Sequence, residues 1–95
     1  MIGIYKITKK ENGKSYIGQS NDIERRLKEH QFKRIHPYPI EVAIQKYGKD
    51  AFTYEVLEES SLEELDEREK YWIAYYNTYK GFGYNCNVGG GASSG

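Results

Sequence analysis

A carboxylate stands where an apolar side chain is expected. From Leu62 to about Tyr76 the residues Leu62, Leu65, Glu69, Trp72 and Tyr76 step by +3, +4, +3 and +4 along one helical stripe, with Glu69 at its centre. A carboxylate buried there must be protonated, paired or bound to a metal. Two readings compete: a structural ion pair with Arg26 or Arg68, or a metal-binding or catalytic group. Its neighbours Glu63, Glu64, Asp66 and Glu67 fall mostly on the outer face and read as a solvated charged surface.

Arg26 and His30 pose the same question one helix earlier. Ile23, Arg26, Leu27 and His30 follow helical spacing, so two members of an inward stripe are not apolar. A guanidinium there could clamp two phosphate oxygens, or simply form a salt bridge. Arg25, about 100° round the helix, reads as solvent-facing. His30 alone reads as a packed or surface histidine, and His36, beside Pro37, is a weaker candidate still. Tyr5 and Tyr16 default to core or cross-strand packing, since a phenol with a free pKa near 10 is a poor base unless a neighbour lowers it.

These side chains need a scaffold, and the chain sketches one. Ile2 to Thr8 and Lys14 to Gly18 read as strands joined across Glu11-Asn12-Gly13-Lys14, where Asn-Gly signals a hairpin. An even-numbered loop would project Tyr5, Ile7, Tyr16 and Gly18 from one face, and a three-residue loop would separate the tyrosines. Asn21 with Glu24 resembles a capping box opening a helix from about Asp22 to Gln31. After Pro37 and Pro39, the apolar positions Ile40, Ala43, Ile44 and Tyr47 predict a core-facing helix that stops at Gly48. Ala51 to Glu58 alternates as a third strand, with Phe52, Tyr54 and Val56 on one face. Ser60-Ser61 then precedes the helix that carries Glu69. Gly89 to Gly95 holds only Gly, Ala and Ser and reads as a flexible linker or frayed tail.

Composition narrows the function classes. Ninety-five residues make one small domain, and ten tyrosines give it a core of rings with polar tips. Cys86 is the only cysteine, which excludes an internal disulfide and, with two histidines, an ordinary structural zinc site. No secretion signal or bilayer-length apolar run is present, so the expectation is a cytoplasmic protein with no membrane partner. The formal charge is zero, but residues 1–50 hold eleven Lys/Arg against six Asp/Glu, and residues 51–95 three against eight. One half could therefore face phosphate, although a balanced domain needs a further module or a second subunit for affinity.

Taken together, the residues resemble a known pattern. Gly3-Ile4-Tyr5, ten intervening residues, and Tyr16-Ile17-Gly18 are the two tripeptides that name the GIY-YIG nuclease superfamily. Arg26, eight residues past Gly18, stands where that family places its arginine. Glu69, within Glu67-Arg68-Glu69-Lys70-Tyr71-Trp72-Ile73, is similar to its glutamate motif, and Gly83-Tyr84-Asn85 to its late asparagine motif. The resemblance is closest to the catalytic domains of phage and intron-encoded homing endonucleases, because Tyr84 to Gly90 looks like their glycine-rich exit.

The resemblance implies a nuclease domain over residues 1–88, followed by the tail. It also implies a small α/β (α+β) sandwich whose three-stranded antiparallel sheet is flanked by helices in ββαβα order, here with one extra helix. The implied activity is metal-dependent hydrolysis of phosphodiesters in double-stranded DNA. Glu69 would be the single protein ligand of Mg²⁺ or Mn²⁺, and Arg26 would hold the scissile phosphate. Tyr5 would take the proton of the attacking water, with Tyr16 binding phosphate or nucleophile, though the pattern leaves open which tyrosine is the base. His30 would accept the proton from Tyr5, and Asn85 would support the site. A catalytically silent nucleic-acid-binding or regulatory module of the same fold, a repair or restriction nuclease, and an interaction domain using exposed tyrosines are the competing readings.

Overall fold

The computed structural model describes residues 1–32 and 37–86, so His36 and the tail lie outside the described residues. Strands β1 (Gly3–Lys9) and β2 (Ser15–Ser20) are followed by helices α1 (Ile23–His30) and α2 (Pro39–Tyr47), strand β3 (Phe52–Glu59) and helix α3 (Leu65–Tyr76). The sheet is antiparallel in the order β2-β1-β3. The expected ββαβα order therefore holds, with α2 as the extra helix, and no helix among the described residues is long and apolar enough to cross a membrane.

The hairpin fixes the register on which the site depends. Gly13, at φ +75°, closes the turn, and its N–H reaches the Lys9 carbonyl at 2.9 Å. The loop is even, so Tyr5 pairs with Gly18 and Ile7 with Tyr16, and the two tyrosines share a face. Alternation along β1 and β2 then creates two cores. Tyr5, Ile7 and Tyr16 pack with Ile23, Ile40, Ile44 and Phe52 beneath α1 and α2, while Ile4 and Ile17 pack with Leu65 and Ile73 beneath α3. A bulge opposite Ile4 and Tyr5 lets adjacent residues of β3 serve both sides: Val56 pairs with Tyr5, and Leu57 joins the α3 core.

Three local expectations are corrected. The N-cap of α1 is Asp22 rather than Asn21: its side chain accepts from the Arg25 N–H at 3.3 Å, while Glu24 pairs with the amino terminus. Tyr47 ends α2 half exposed instead of inside the core. Residues Leu62–Glu64 form a separate 3₁₀ turn ahead of α3, Leu62 is exposed, and Tyr76 at the far end of the helix is partly exposed. The inward line of α3 is therefore Leu65, Glu69 and Ile73, at i, i+4 and i+8, with Glu69 still at its centre.

Candidate active site

The two tripeptides have steric reasons for their glycines. A Cβ on Gly18 would lie 2.3 Å from Cζ and 2.4 Å from the hydroxyl of Tyr5, so the phenol occupies the place of the missing side chain. At Gly3 the obstacle is backbone, since a Cβ would meet the Glu58 carbonyl oxygen of β3 at 2.0 Å. The Tyr5 ring thus lies over Gly18, its centroid 6.2 Å from that of Tyr16.

The α1 stripe completes the cluster. His30, fully buried, meets the Tyr5 hydroxyl at 2.6 Å through Nε2, and its Nδ1 lies 2.9 Å from Oε2 of Glu41, also fully buried. An ionised carboxylate only accepts, so Nδ1 carries the hydrogen, and Nε2 is left with a lone pair for the Tyr5 O–H to donate into. The result is a directional chain, Tyr5 to His30 to Glu41, in which a proton leaving the phenol becomes an imidazolium facing a carboxylate. Oε1 of Glu41 accepts the Tyr38 N–H at 3.0 Å, which fixes the carboxylate plane. The Tyr16 ring stands edge-on to His30 at 5.5 Å.

Electrostatics explain why a phenol here needs such a chain. Burial drives the Tyr5 pKa well above its ordinary value; Tyr16 and Glu69 add to the rise, and Arg26 opposes it. Tyr16 is also pushed up, first by burial and then by Glu69. Neither ring is a standing phenolate at neutral pH. Burial alone would lower the Arg26 pKa, but Tyr5 and Glu29 outweigh it, so the guanidinium stays charged; its NH1 is 3.2 Å from Glu29. Arg25 faces solvent as expected.

Glu69 arrives from the opposite face of the sheet. It is 1% exposed, and Gln19 at the end of β2 donates both to its Oε1 at 3.2 Å and to Oδ1 of Asp66 at 2.8 Å. Arg68 is engaged by Glu58 at 2.8 Å. Among the described residues no three His, Cys, Asp or Glu side chains converge on one point. One buried carboxylate with an exposed one nearby does not build a calcium- or zinc-type cage, yet it fits an octahedral ion that keeps most of its waters and takes phosphate oxygens.

Asn85 is placed differently from the others. Its Oδ1 accepts from the Ile17 N–H at 2.9 Å and from the Thr78 hydroxyl at 2.7 Å, and its Nδ2 donates to the Ile17 carbonyl at 2.9 Å. The amide thus mimics one residue of a neighbouring strand and holds the outer edge of β2, placing Tyr16 and Gly18 rather than meeting them. The structure brings Tyr5, Tyr16, Arg26 and His30 into one cluster, with Glu69 close enough to shift both phenols. Glu41 is the member that the sequence pattern missed. One signal was present: on a helical wheel it borders Ile44, so it lies at the margin of the apolar stripe rather than opposite it.

The model of the GIY-YIG catalytic domain family matches residues 1–85. The chain belongs to the GIY-YIG family. Nucleases of this family are in general metal-dependent. This GIY-YIG domain is 36% identical over 90 residues to Intron-associated endonuclease 1 of Enterobacteria phage T4, covering 87% of this chain but only 36% of that relative's length. It superposes on the structure of the catalytic domain of homing endonuclease I-TevI with a TM-score of 0.77 at 32% identity, covering 92% of this chain and 99% of the other. A second structure of that domain, a glutamate-to-alanine mutant, also gives 0.77, at 29% identity with 96% and 98% covered.

Proposed function

We propose that this GIY-YIG domain, over residues 1–88, is the nuclease module of a DNA endonuclease of the homing type, with residues 89–95 leading toward a separate DNA-binding region or partner subunit. The observation that carries the reading is the buried Tyr5–His30–Glu41 chain beside the Arg26 guanidinium and the Glu69 carboxylate.

Arg26 holds the scissile phosphate of double-stranded DNA and offsets the charge that accumulates as water attacks. Tyr5 takes a proton from that water at its hydroxyl oxygen while passing its own to Nε2 of His30, so no free phenolate forms despite the raised pKa. Glu41 stabilises the resulting imidazolium through Nδ1. Tyr16, at the rim of the cluster, orients water or phosphate. When bound, a divalent ion, Mg²⁺ or Mn²⁺, supplies charge stabilisation for the leaving 3′ oxygen, with Glu69 as its protein ligand. Asn85 positions β2.

The test is supercoiled plasmid at low salt, with Mg²⁺ or EDTA, comparing the parent domain with Glu69→Ala and Arg26→Ala. The proposal expects metal-dependent nicking by the parent and loss in both variants, each still folded by circular dichroism. Full activity in either variant would remove the mechanism.

A further inference from the structure

Beyond the candidate site, the β1–β2 hairpin and α2 flank an open concavity of about 410 Å³ whose lining includes three lysines, Lys9, Lys14 and Lys46, and two tyrosines, Tyr47 and Tyr84. The lysines lie near the rings. The Lys9 ammonium lies 3.6 Å from the centroid of Tyr47 and Lys46 lies 5.2 Å from that same ring, while Lys14 is 5.6 Å from Tyr84. Lys9 is sunk into the wall, its side chain 8% exposed, yet the acid that pairs with it at 3.1 Å, Glu11, is 80% exposed and easily displaced. Three ammonium groups around one concavity present a local positive field to which an anion is drawn.

The concavity and the site lie on different faces of the same helix, α2. Pro39 and Ala43 line the concavity, while Glu41 of the same helix holds His30. Tyr38, immediately before α2, lies 5.8 Å from the Arg26 guanidinium. The stretch of α2 from Pro39 to Lys46 spans about 10 Å of helix axis, or about three steps along one strand of duplex DNA. The acidic residues Glu55, Glu63, Glu64 and Glu67 are exposed on β3 and around the start of α3, so the charge balance of this neutral chain favours approach of a polyanion from the hairpin side.

Resting on the nuclease reading, we propose that the Lys9–Lys14–Lys46 concavity is a second phosphate-binding subsite, which grips the duplex a few nucleotides from the phosphate held by Arg26. Lys14 and Lys46 contact backbone oxygens, and Lys9 supplies fixed positive charge beneath them. The contacts carry no base information; they set the angle of the duplex across the site.

The test is fluorescence anisotropy of a labelled duplex in metal-free buffer across a salt titration, using the parent chain, Lys14→Ala, Lys46→Ala, the double variant, and Lys70→Ala on α3 as an equal-charge control. Each lost phosphate contact lowers the slope of log K against log salt by about 0.9. The proposal expects the double variant to lose nearly two such units and about tenfold or more in low-salt affinity, with Lys70→Ala unchanged. The rate of Mg²⁺-dependent cleavage at saturating protein stays at the parent value. A parental slope in the double variant overturns the subsite, as does saturable binding of pyrophosphate in the cavity without any change in DNA slope, which would reassign it to a small anion. Failure of the parent chain to cleave DNA is a separate result and counts against the nuclease reading instead.

Discussion

Replacing Glu41 by glutamine removes one charge and almost no volume, yet it forces a choice between two hydrogen bonds. The glutamate accepts two hydrogens, from Nδ1 of His30 at 2.9 Å and from the Tyr38 N–H at 3.0 Å. An amide has one acceptor oxygen and one donor NH₂, so it cannot satisfy both. If its oxygen stays on Tyr38, its NH₂ faces Nδ1, which must then accept. The hydrogen moves to Nε2, and Tyr5 can no longer donate into the ring. If its oxygen stays on His30, an NH₂ opposes a backbone N–H in a buried site. Either arrangement costs about 1–3 kcal/mol of stability, and the first removes a proton acceptor whose general-base contribution is about 10²- to 10⁴-fold. The expected phenotype is a folded protein with a modestly lowered Tm and a single-turnover cleavage rate down by about two to four powers of ten. Nitrogen-15 shifts of His30 would report the change of tautomer directly. Parental cleavage by Glu41→Gln, with His30 already carrying its hydrogen on Nε2 in the parent, would refute the relay.

Three further outcomes rest on the same geometry. Gly18→Ala places a Cβ 2.4 Å from the Tyr5 hydroxyl and must displace that ring, so cleavage falls at least tenfold and stability drops by about 1–3 kcal/mol, read by plasmid assay and urea titration. Asn85→Ala strands the Ile17 N–H and carbonyl in the interior and lowers stability by about 2–5 kcal/mol, with activity at low temperature largely retained if its role is positional. Alkaline stability carries the signature of the buried phenols. The folded pKa values of Tyr5 and Tyr16 are raised above an ordinary 10.0, so their neutral forms favour the native state; this contribution is full below about pH 10 and declines above it, as the unfolded chain ionises first. Each contributes a slope of about 1.4 kcal/mol per pH unit there, and Tyr5→Phe should visibly flatten the decline in Tm.

What was legible in the sequence is what depends on short-range rules. Asn12-Gly13 marks the hairpin, while the parity of its loop, left open by the sequence, is even in the register and puts Tyr5 and Tyr16 on one face. Glu69 stands out because a charged residue interrupts an apolar period, and it is buried at the centre of α3. Glu41 escaped because an acid at the third position of a helix beginning with proline already has an ordinary explanation in capping; its burial depends on His30, eleven positions away across a loop. The β3 bulge is unreadable for a similar reason. Nothing in Tyr54-Glu55-Val56-Leu57 distinguishes a slip in pairing until β1 lies alongside. Leu62 falls in a 3₁₀ turn ahead of α3 instead of in the helix itself, a local choice that the apolar period does not encode.

The clamp on Ile17 also has a consequence in time. Its two halves are sixty-eight positions apart in the chain, whereas His30 and Glu41 are separated by eleven. A ribosome delivers the hairpin, Arg26 and the proton chain long before it delivers Glu69, and Asn85 later still. Until then the outer edge of β2 lacks the amide that holds it, and the loop-closure entropy of a contact across sixty-eight positions has not been met. A nascent chain therefore carries an incomplete cluster throughout most of the domain's synthesis. The edge that carries Tyr16 and Gly18 is thus secured only after Asn85 has been made.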